Sequence, residues 1–189
     1  MIDQLVVVDN FFSQEQLNEV LNDAASCDYW IANEHPYRPQ GGILNWDGIR
    51  SRSLLDINKE RYSSIISDAI TKSVNQSFGD NPSKFSFNWK CRIYFHKLNE
   101  EYKDSWAHRD LDTIFAGVIY LNENPPANTG TTIITQSGIQ QVENMFNRLV
   151  MYNGNNPHYA TNGFKDRLTI TFFISAFTFN FWNEIHKEH

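Results

Sequence analysis

Two regimes of hydrophobic patterning divide the chain. Up to about residue 82 the apolar positions recur mostly at helical spacing; beyond it they come in short β-branched and aromatic runs broken by Gly, Asn and Pro. In the first regime Leu5-Val6-Val7-Val8 predicts a strand over 5–8. Ser13-Gln14-Glu15-Gln16 then has the form of a capping box, in which a serine hydroxyl and a glutamine side chain satisfy the first amides of a helix. Leu17, Val20, Leu21 and Ala24 follow at helical spacing, so a helix is expected from Ser13 to about Ser26. A second stripe, Ile65, Ile66, Ala69, Ile70 and Val74, predicts a helix over 58–78, stopped by Gly79-Asp80-Asn81-Pro82. Between the two, residues 33–52 lose all periodicity, and Pro36, Pro39, Gly41, Gly42 and Gly48 alternate with Tyr37, Trp46, Arg38, Arg50 and Arg52. A loop this long inside a compact domain is unusual unless it has a task. Its aromatics and arginines predict a lid.

The second regime predicts strands over 85–98, 107–110, 113–121, 131–135, 139–142, 148–152, 158–160 and 167–179. Helices followed by a series of short strands predict a mainly β fold, an antiparallel barrel or jelly roll with N-terminal helices packed outside it. At 189 residues the chain is expected to form one domain over 1–189, with helical support over about 1–82 and a jelly-roll core over about 83–179.

Charge and cysteine content narrow the setting. A net charge of −6 argues against a nucleic-acid surface or a polybasic membrane patch. Cys27 and Cys91 form no CxxC and no disulfide framework, which fits a reducing compartment. No basic region precedes 5–8 and Asp9 interrupts that apolar run, so no signal peptide is expected. The longest nearly apolar stretch, 168–179, is too short to span a bilayer. A cytoplasmic protein with neither nucleic-acid nor membrane partner is the expectation.

The chemistry gathers around Trp106-Ala107-His108-Arg109-Asp110. A lone HxD is weak, because a half-buried histidine that donates to a carbonyl is common. Three further features change its weight. On a strand His108 and Asp110 point to the same face and Arg109 away from it. His158 follows Asn156-Pro157 at the start of another predicted strand, where a jelly roll could bring it beside the first pair. Arg167, Thr169 and Thr171 share one face of the last long strand, whereas Leu168, Ile170 and Phe172 share the other. An inward Arg-Thr-Thr row is costly unless something anionic or hydrogen-bonding lies opposite. Two histidines and one carboxylate are the ligand set of a mononuclear non-haem iron(II) site. Zinc is the competing metal, but the sequence has no HExxH and no nearby Glu base for hydrolysis, which fits iron better. His96 would share a strand face with Arg92 and Tyr94 and so lie near this site.

The order HxD, then His158, then Arg167 nine residues later resembles the iron(II)/2-oxoglutarate-dependent dioxygenases, and within them the prolyl-hydroxylase branch. Gly117-Val118-Ile119-Tyr120-Leu121-Asn122 resembles the strand after HxD in that branch. Thr129-Gly130-Thr131 stands where the branch has Gly-Gly, here reduced to Gly130. Asn147-Arg148-Leu149-Val150-Met151-Tyr152 with Asn156-Pro157-His158 resembles the strand and turn that deliver the third ligand. The resemblance covers about 85–179, and the interval between Tyr94 and His108 is longer than usual for the family.

The resemblance implies a double-stranded β-helix and a set of roles. His108, Asp110 and His158 would bind Fe(II). Arg167 and Tyr120 would hold the distal carboxylate of 2-oxoglutarate, with Thr171, Thr169 and Tyr94 completing that pocket. Dioxygen (O2) is the second co-substrate, and ascorbate is compatible with the scheme. The implied reaction is hydroxylation of a peptidyl, in particular prolyl, side chain with release of succinate and carbon dioxide. Trp46, Tyr37, Arg50 and Arg52 of the expected lid would meet the substrate. A free amino acid or small metabolite is the alternative substrate. Nucleic-acid demethylation is disfavoured, because Phe173 stands where that branch has a second arginine. A non-catalytic jelly-roll binding module is the competing class.

Overall fold

A computed structural model describes residues 5–31, 48–78, 85–101 and 107–181. Strand β1 (Val6–Val8) is followed by helix α1 (Gln14–Ser26), strands β2 (Tyr29–Ile31) and β3 (Gly48–Ser51), and helices α2 (Leu54–Ile57) and α3 (Lys59–Phe78). Seven further strands complete the described order: β4 (Phe85–Leu98), β5 (Phe115–Tyr120), β6 (Gly130–Thr135), β7 (Gly138–Glu143), β8 (Leu149–Asn153), β9 (His158–Thr161) and β10 (Leu168–Phe181). The capping box forms as expected. The Gln16 amide donates to the Ser13 hydroxyl at 3.3 Å, and the Ser13 amide donates to the Gln16 side chain at 3.0 Å.

The strands form two antiparallel sheets, one ordered β1-β8-β5-β10-β4-β3-β2 and the other β7-β6-β9. Strand alternation gives the large sheet two different faces. Val6, Ile93, Phe95, Ile119, Leu149, Met151, Ile170, Phe172 and Ile174 point to the helices and pack on Leu17, Val20, Tyr62, Ile66 and Ile70. Ala116, Val118, Tyr120, Val150 and Tyr152 point the other way and meet Ile133 and Val142 of the small sheet. This is the jelly roll with outer helices that the patterning predicts, and the polar row of the last strand lies on its inner face. Among the described residues no helix is long and apolar enough to cross a membrane.

Two expectations change. Residues 107–110 do not form a strand; His108 makes a single bridge to His158 and the chain then turns. The stretch expected as loop over 33–52 contains β3, whose Ile49 and Arg50 lie opposite Lys97 and His96. Pairing to the long neighbour β4 supplies the hydrogen bonds that make those residues extended, a cause absent from the local pattern. Tyr37 and Trp46 lie outside the described residues.

The N-terminal segment is fastened where β8 begins. Asn147, in the left-handed region at φ 60, accepts from the Phe12 amide at 2.8 Å and donates to the Phe12 carbonyl at 2.9 Å. One residue on, Arg148 donates to Asp9 at 3.0 Å through Nη2. These hydrogen bonds hold the Asp9 carboxyl below its ordinary range, and slight burial opposes them. In the middle of the sheet Gly117 lies opposite Phe172, whose ring covers it; a Cβ on Gly117 would stand 2.1 Å from the ring.

Gly117→Ala is therefore expected to cost about 1–3 kcal/mol through overpacking, read from urea unfolding. An unchanged midpoint would mean that the Phe172 ring moves aside freely. The Asp9–Arg148 pair is solvent-exposed, so Asp9→Asn should cost only about 0.2–1 kcal/mol near neutral pH. Because the folded-state pKa is lowered, this contribution is complete above the unfolded value of ~3.9 and is lost as the pH falls through the folded value. A deficit that stays constant with acidification would assign the effect to packing instead of charge.

Candidate functional site

The site is built where the two sheets meet. His158 opens β9 in the small sheet, and its backbone exchanges both hydrogen bonds with His108, amide to carbonyl, at 3.0 and 2.9 Å. The two rings consequently lie 4.5 Å apart. Asp110 is placed by its own amide, which donates to the Gly154 carbonyl at 3.0 Å. Gly154 in turn donates to the Ile114 carbonyl at 3.1 Å, so this one residue grips both ends of the turn that carries Asp110. Only glycine fits, because a Cβ there would stand 2.6 Å from the Thr113 carbonyl oxygen.

These backbone constraints bring one ligand atom each of His108, Asp110 and His158 within 4.8 Å of one another. His158 Nε2 is 3.3 Å from Asp110 Oδ2, and His108 Nε2 is 3.9 Å from Oδ1. On the other side of its ring, His158 Nδ1 is 2.9 Å from the Asn156 carbonyl. A carbonyl only accepts, so Nδ1 donates to it and Nε2 faces the cluster. Asp110 Oδ2 is buried and has no hydrogen-bond partner. An isolated buried carboxylate oxygen is costly, and a cation between the three side chains would satisfy it. Tyr152, whose ring lies 4.7 Å from that of His158, backs the cluster. Burial, and then the Asp110 carboxylate, push its phenol well above the ordinary range, so it stays neutral.

A second group of polar side chains lies further along the inner face. Tyr120 on β5 is opposite Thr169 on β10, which is opposite His96 on β4, which is opposite Arg50 on β3. This polar row crosses four strands. Tyr120 and Thr169 are buried, and the Tyr120 hydroxyl is 2.7 Å from that of Thr131 on β6. Arg167, immediately before β10, is only 7% exposed, and its Nε is buried without a hydrogen-bond partner. Its guanidinium lies 5.6 Å from the Tyr120 ring centre. Burial raises the Tyr120 pKa and the neighbouring Arg167 charge opposes the rise. Thr171 is half-buried in the next row, opposite Tyr94 and Val118, with its hydroxyl 3.4 Å from that of Thr169.

The structure thus gathers His108, Asp110 and His158 in one cluster, and Arg167, Tyr120, Thr169, Thr171 and Tyr94 on the inner face of the large sheet. Arg50 reaches the same face: its Nε donates to His96 Nε2 at 2.8 Å, and its guanidinium lies 4.8 Å over the Tyr94 ring. Arg52 differs. It is exposed beyond the end of β3, and its charge is felt at Cys27, the C-cap of α1. Sequence reading passed over Thr131, Tyr152 and Gly154. The alternation of β6 and β8 marks the first two as inward, but the role of Gly154 depends on a chain segment some forty residues away.

The sequence matches no protein-family model and no curated protein. Solved structures do share the fold. A prolyl hydroxylase from Trichoplax adhaerens, in complex with a peptide of the hypoxia-inducible-factor oxygen degradation domain, aligns with a TM-score of 0.60 at 14% identity, over 92% of this chain and 84% of that one. The non-haem α-ketoglutarate-dependent epimerase SnoN of nogalamycin biosynthesis aligns with a TM-score of 0.62 at 11% identity, over 96% and 79%. HygX from Streptomyces hygroscopicus, with nickel and 2-oxoglutarate bound, aligns with a TM-score of 0.57 at 10% identity, over 89% and 81%.

Because Gly154 holds Asp110 in place, Gly154→Ala is expected to weaken Mn(II) binding by about 10–100-fold, measured by water-proton relaxation. Unchanged affinity would mean that the turn moves without carrying Asp110 with it. The architecture described here is the jelly roll of the 2-oxoglutarate/Fe(II) oxygenases, and this chain is prolyl-hydroxylase-like in fold.

Proposed function

We propose that the protein is an iron(II)- and 2-oxoglutarate-dependent dioxygenase that hydroxylates an amino-acid side chain, with a peptidyl residue such as proline as the first substrate class. The observation that carries this reading is the half-buried His108–Asp110–His158 cluster, in which the buried carboxylate oxygen Asp110 Oδ2 lacks a hydrogen-bond partner. Two imidazoles and one carboxylate fit a divalent first-row metal and leave open positions around it. Arg167 Nε adds a second buried polar atom without a hydrogen-bond partner on the same inner wall, suited to an anionic co-substrate.

Bound iron, 2-oxoglutarate and dioxygen would supply the oxidising chemistry: one oxygen atom of O2 would enter succinate as carbon dioxide leaves, and the other would be inserted into a substrate C–H bond. The chain's own side chains hold and orient. His108, Asp110 and His158 would hold the metal, and the Asn156 carbonyl orients the His158 ring so that Nε2 points inward. Arg167 would pair with the distal carboxylate of 2-oxoglutarate. The Tyr120 hydroxyl, kept protonated by burial, would donate to that carboxylate or to Thr131, and Thr169 and Thr171 would line the same pocket. Val118, Val150 and Ile133 surround this polar strip with apolar wall, which excludes water from a reactive centre.

A second reading, a free amino acid or other small metabolite as substrate, draws support from the range of proteins that share the fold. The Trichoplax structure contains a peptide, and HygX has also been solved with hygromycin B.

Anaerobic addition of iron(II) and 2-oxoglutarate should produce a weak visible charge-transfer band. Its absence in folded, metal-loaded protein would sink the oxygenase reading. In Arg167→Ala the 2-oxoglutarate concentration needed for half of that band should rise about 100-fold or more, the cost of truncating one partner of a buried charge pair. An unchanged requirement would place the distal carboxylate elsewhere.

A further inference from the structure

Two strands of the large sheet outrun it. β4 and β10 stay paired from Lys97 and Leu168 to Phe85 and Phe181, whereas β5 accompanies β10 only as far as Ile174 and β3 accompanies β4 only over Leu98 to His96. Beyond Ile174 the pair continues as a ribbon, and among the described residues no third strand joins it. The register shifts between Ile174 and Ala176, where the ribbon leaves the sheet. A bulge of this kind bends and twists the strand that carries it. An isolated pair of strands is marginal in water. This one is held because one face is apolar: Phe87, Trp89 and Phe177 pack against the core beneath the helices, with the Phe87 and Phe177 ring centres 6.0 Å apart.

The other face is polar and open. Asn88, Lys90 and Arg92 alternate along β4, with Thr178 opposite Asn88 and Ala176 opposite Lys90, and all five are exposed. Arg92 lies opposite Phe173, its guanidinium 5.4 Å from that ring centre. Among the described residues neither Lys90 nor Arg92 forms an ion pair. Strand register ties this face to the His108–Asp110–His158 cluster. Phe173 is opposite Ala116, Ala116 is opposite Tyr152, and the Tyr152 ring lies 4.7 Å from that of His158. Arg92 therefore begins a row on the inner face that ends against His158. Backbone hydrogen bonds make the same link: the Ile114 amide donates to the Ile174 carbonyl at 2.7 Å, Gly154 to Ile114 at 3.1 Å, and Asp110 to Gly154 at 3.0 Å. The ribbon thus leaves the sheet three hydrogen bonds away from Asp110.

We propose that the open face of this ribbon docks an acidic segment of a polypeptide substrate, with Lys90 and Arg92 as the anchoring cations. The proposal rests on the oxygenase reading and adds a recognition feature to its peptide substrate. Residues two apart on a strand stand about 7 Å apart, so Arg92 and Lys90 match carboxylates at alternate positions of an extended peptide. From Arg92 to Asn88 the face runs about 14 Å, longer than one amino acid. The Arg92 guanidinium suits a carboxylate through two parallel hydrogen bonds, and the Lys90 ammonium acts as a point charge beside it. In a chain of net charge −6, two unpaired cations give this face a sign opposite to the whole, which selects an anionic partner. Two cations are too few for a polyphosphate backbone, which is held through many phosphate contacts. The acidic segment docks on the ribbon while a residue a short distance along the same peptide faces the metal.

The test uses the full chain and a dye-labelled peptide of alternating Glu and Ser, with the same peptide carrying Gln for Glu as its neutral counterpart. Fluorescence anisotropy at low salt should show the Glu peptide binding about tenfold or more tightly than the Gln peptide, with the difference shrinking as salt screens the contact. The double variant Lys90→Glu/Arg92→Glu should lose this preference and bind a peptide of alternating Lys and Ser instead. That reciprocal gain separates a reversed charge from a damaged fold. Mn(II) in the cluster should broaden the proton resonances of the bound Glu peptide. Equal binding of the Glu and Gln peptides, or a Glu preference that survives the double reversal, overturns the proposal. Binding without Mn(II) broadening overturns it too, by placing the peptide away from the site. Tighter binding of a single-stranded oligonucleotide of matched charge overturns it by naming another partner. The anaerobic iron(II)/2-oxoglutarate band keeps the two readings apart. Protein that forms the band but ignores the Glu peptide loses only this proposal, whereas folded, metal-loaded protein without the band removes the oxygenase reading on which it rests.

Discussion

A row of polar side chains must be buried inside an apolar sandwich, and the rest of the structure depends on how that is achieved. Tyr120, Thr169, His96 and Arg50 stand opposite one another on four successive strands, with Arg167 at the edge of the row. Each would be costly alone in such a place. Together they satisfy one another in part: Tyr120 with Thr131, Arg50 with His96, and Thr169 weakly with Thr171. What remains after that mutual satisfaction is concentrated in Arg167 Nε and, in the neighbouring cluster, Asp110 Oδ2. A bound cation and a bound anion, respectively, are what would satisfy Asp110 Oδ2 and Arg167 Nε.

The two faces of the large sheet divide the work. The helix-facing side is closed and apolar, with Phe172 lying over Gly117 and Phe95 packed edge-on against Tyr62. Among the described residues, the β5 and β10 side chains packed on that side are all apolar. The inner side carries the chemistry and is covered by only three strands, β7-β6-β9. The histidine of β9 is therefore the point at which the small sheet is tied to the turn that carries Asp110. The fastening of Phe12 by Asn147 anchors the N-terminal segment beside β8, the strand that leads to Gly154 and then to His158.

Electrostatics sort the inner face into two regions. Around Asp110 stand the rings of His108, His158 and Tyr152, and burial keeps the Tyr152 phenol neutral. Along β4 and at Arg167 the charges are positive. A buried arginine at the edge of the inner face suits an anionic small group, in keeping with a co-substrate that bears carboxylates.

Much of this was legible in the chain. The helices, the capping box, the change to strands after Pro82 and the inward row of Arg167, Thr169 and Thr171 follow from spacing, because helix and strand periods fix which residues share a face. The His108, Asp110 and His158 set follows from ligand chemistry combined with family resemblance. Other features were decided only by the tertiary fold. Residues 107–110 look extended but gain a single bridge, since the small sheet offers them just one partner residue, His158. Arg50 looked like a loop residue because its strand exists only through pairing with β4. Gly154 carries no local mark at all, since its role is set by close approach to Thr113 and Asp110 across the barrel mouth. The sequence by itself determined which residues are polar and which way each points along its own strand. Only the packing of one strand against another decided which of them meet, because that depends on register and long-range closure, which no local pattern encodes.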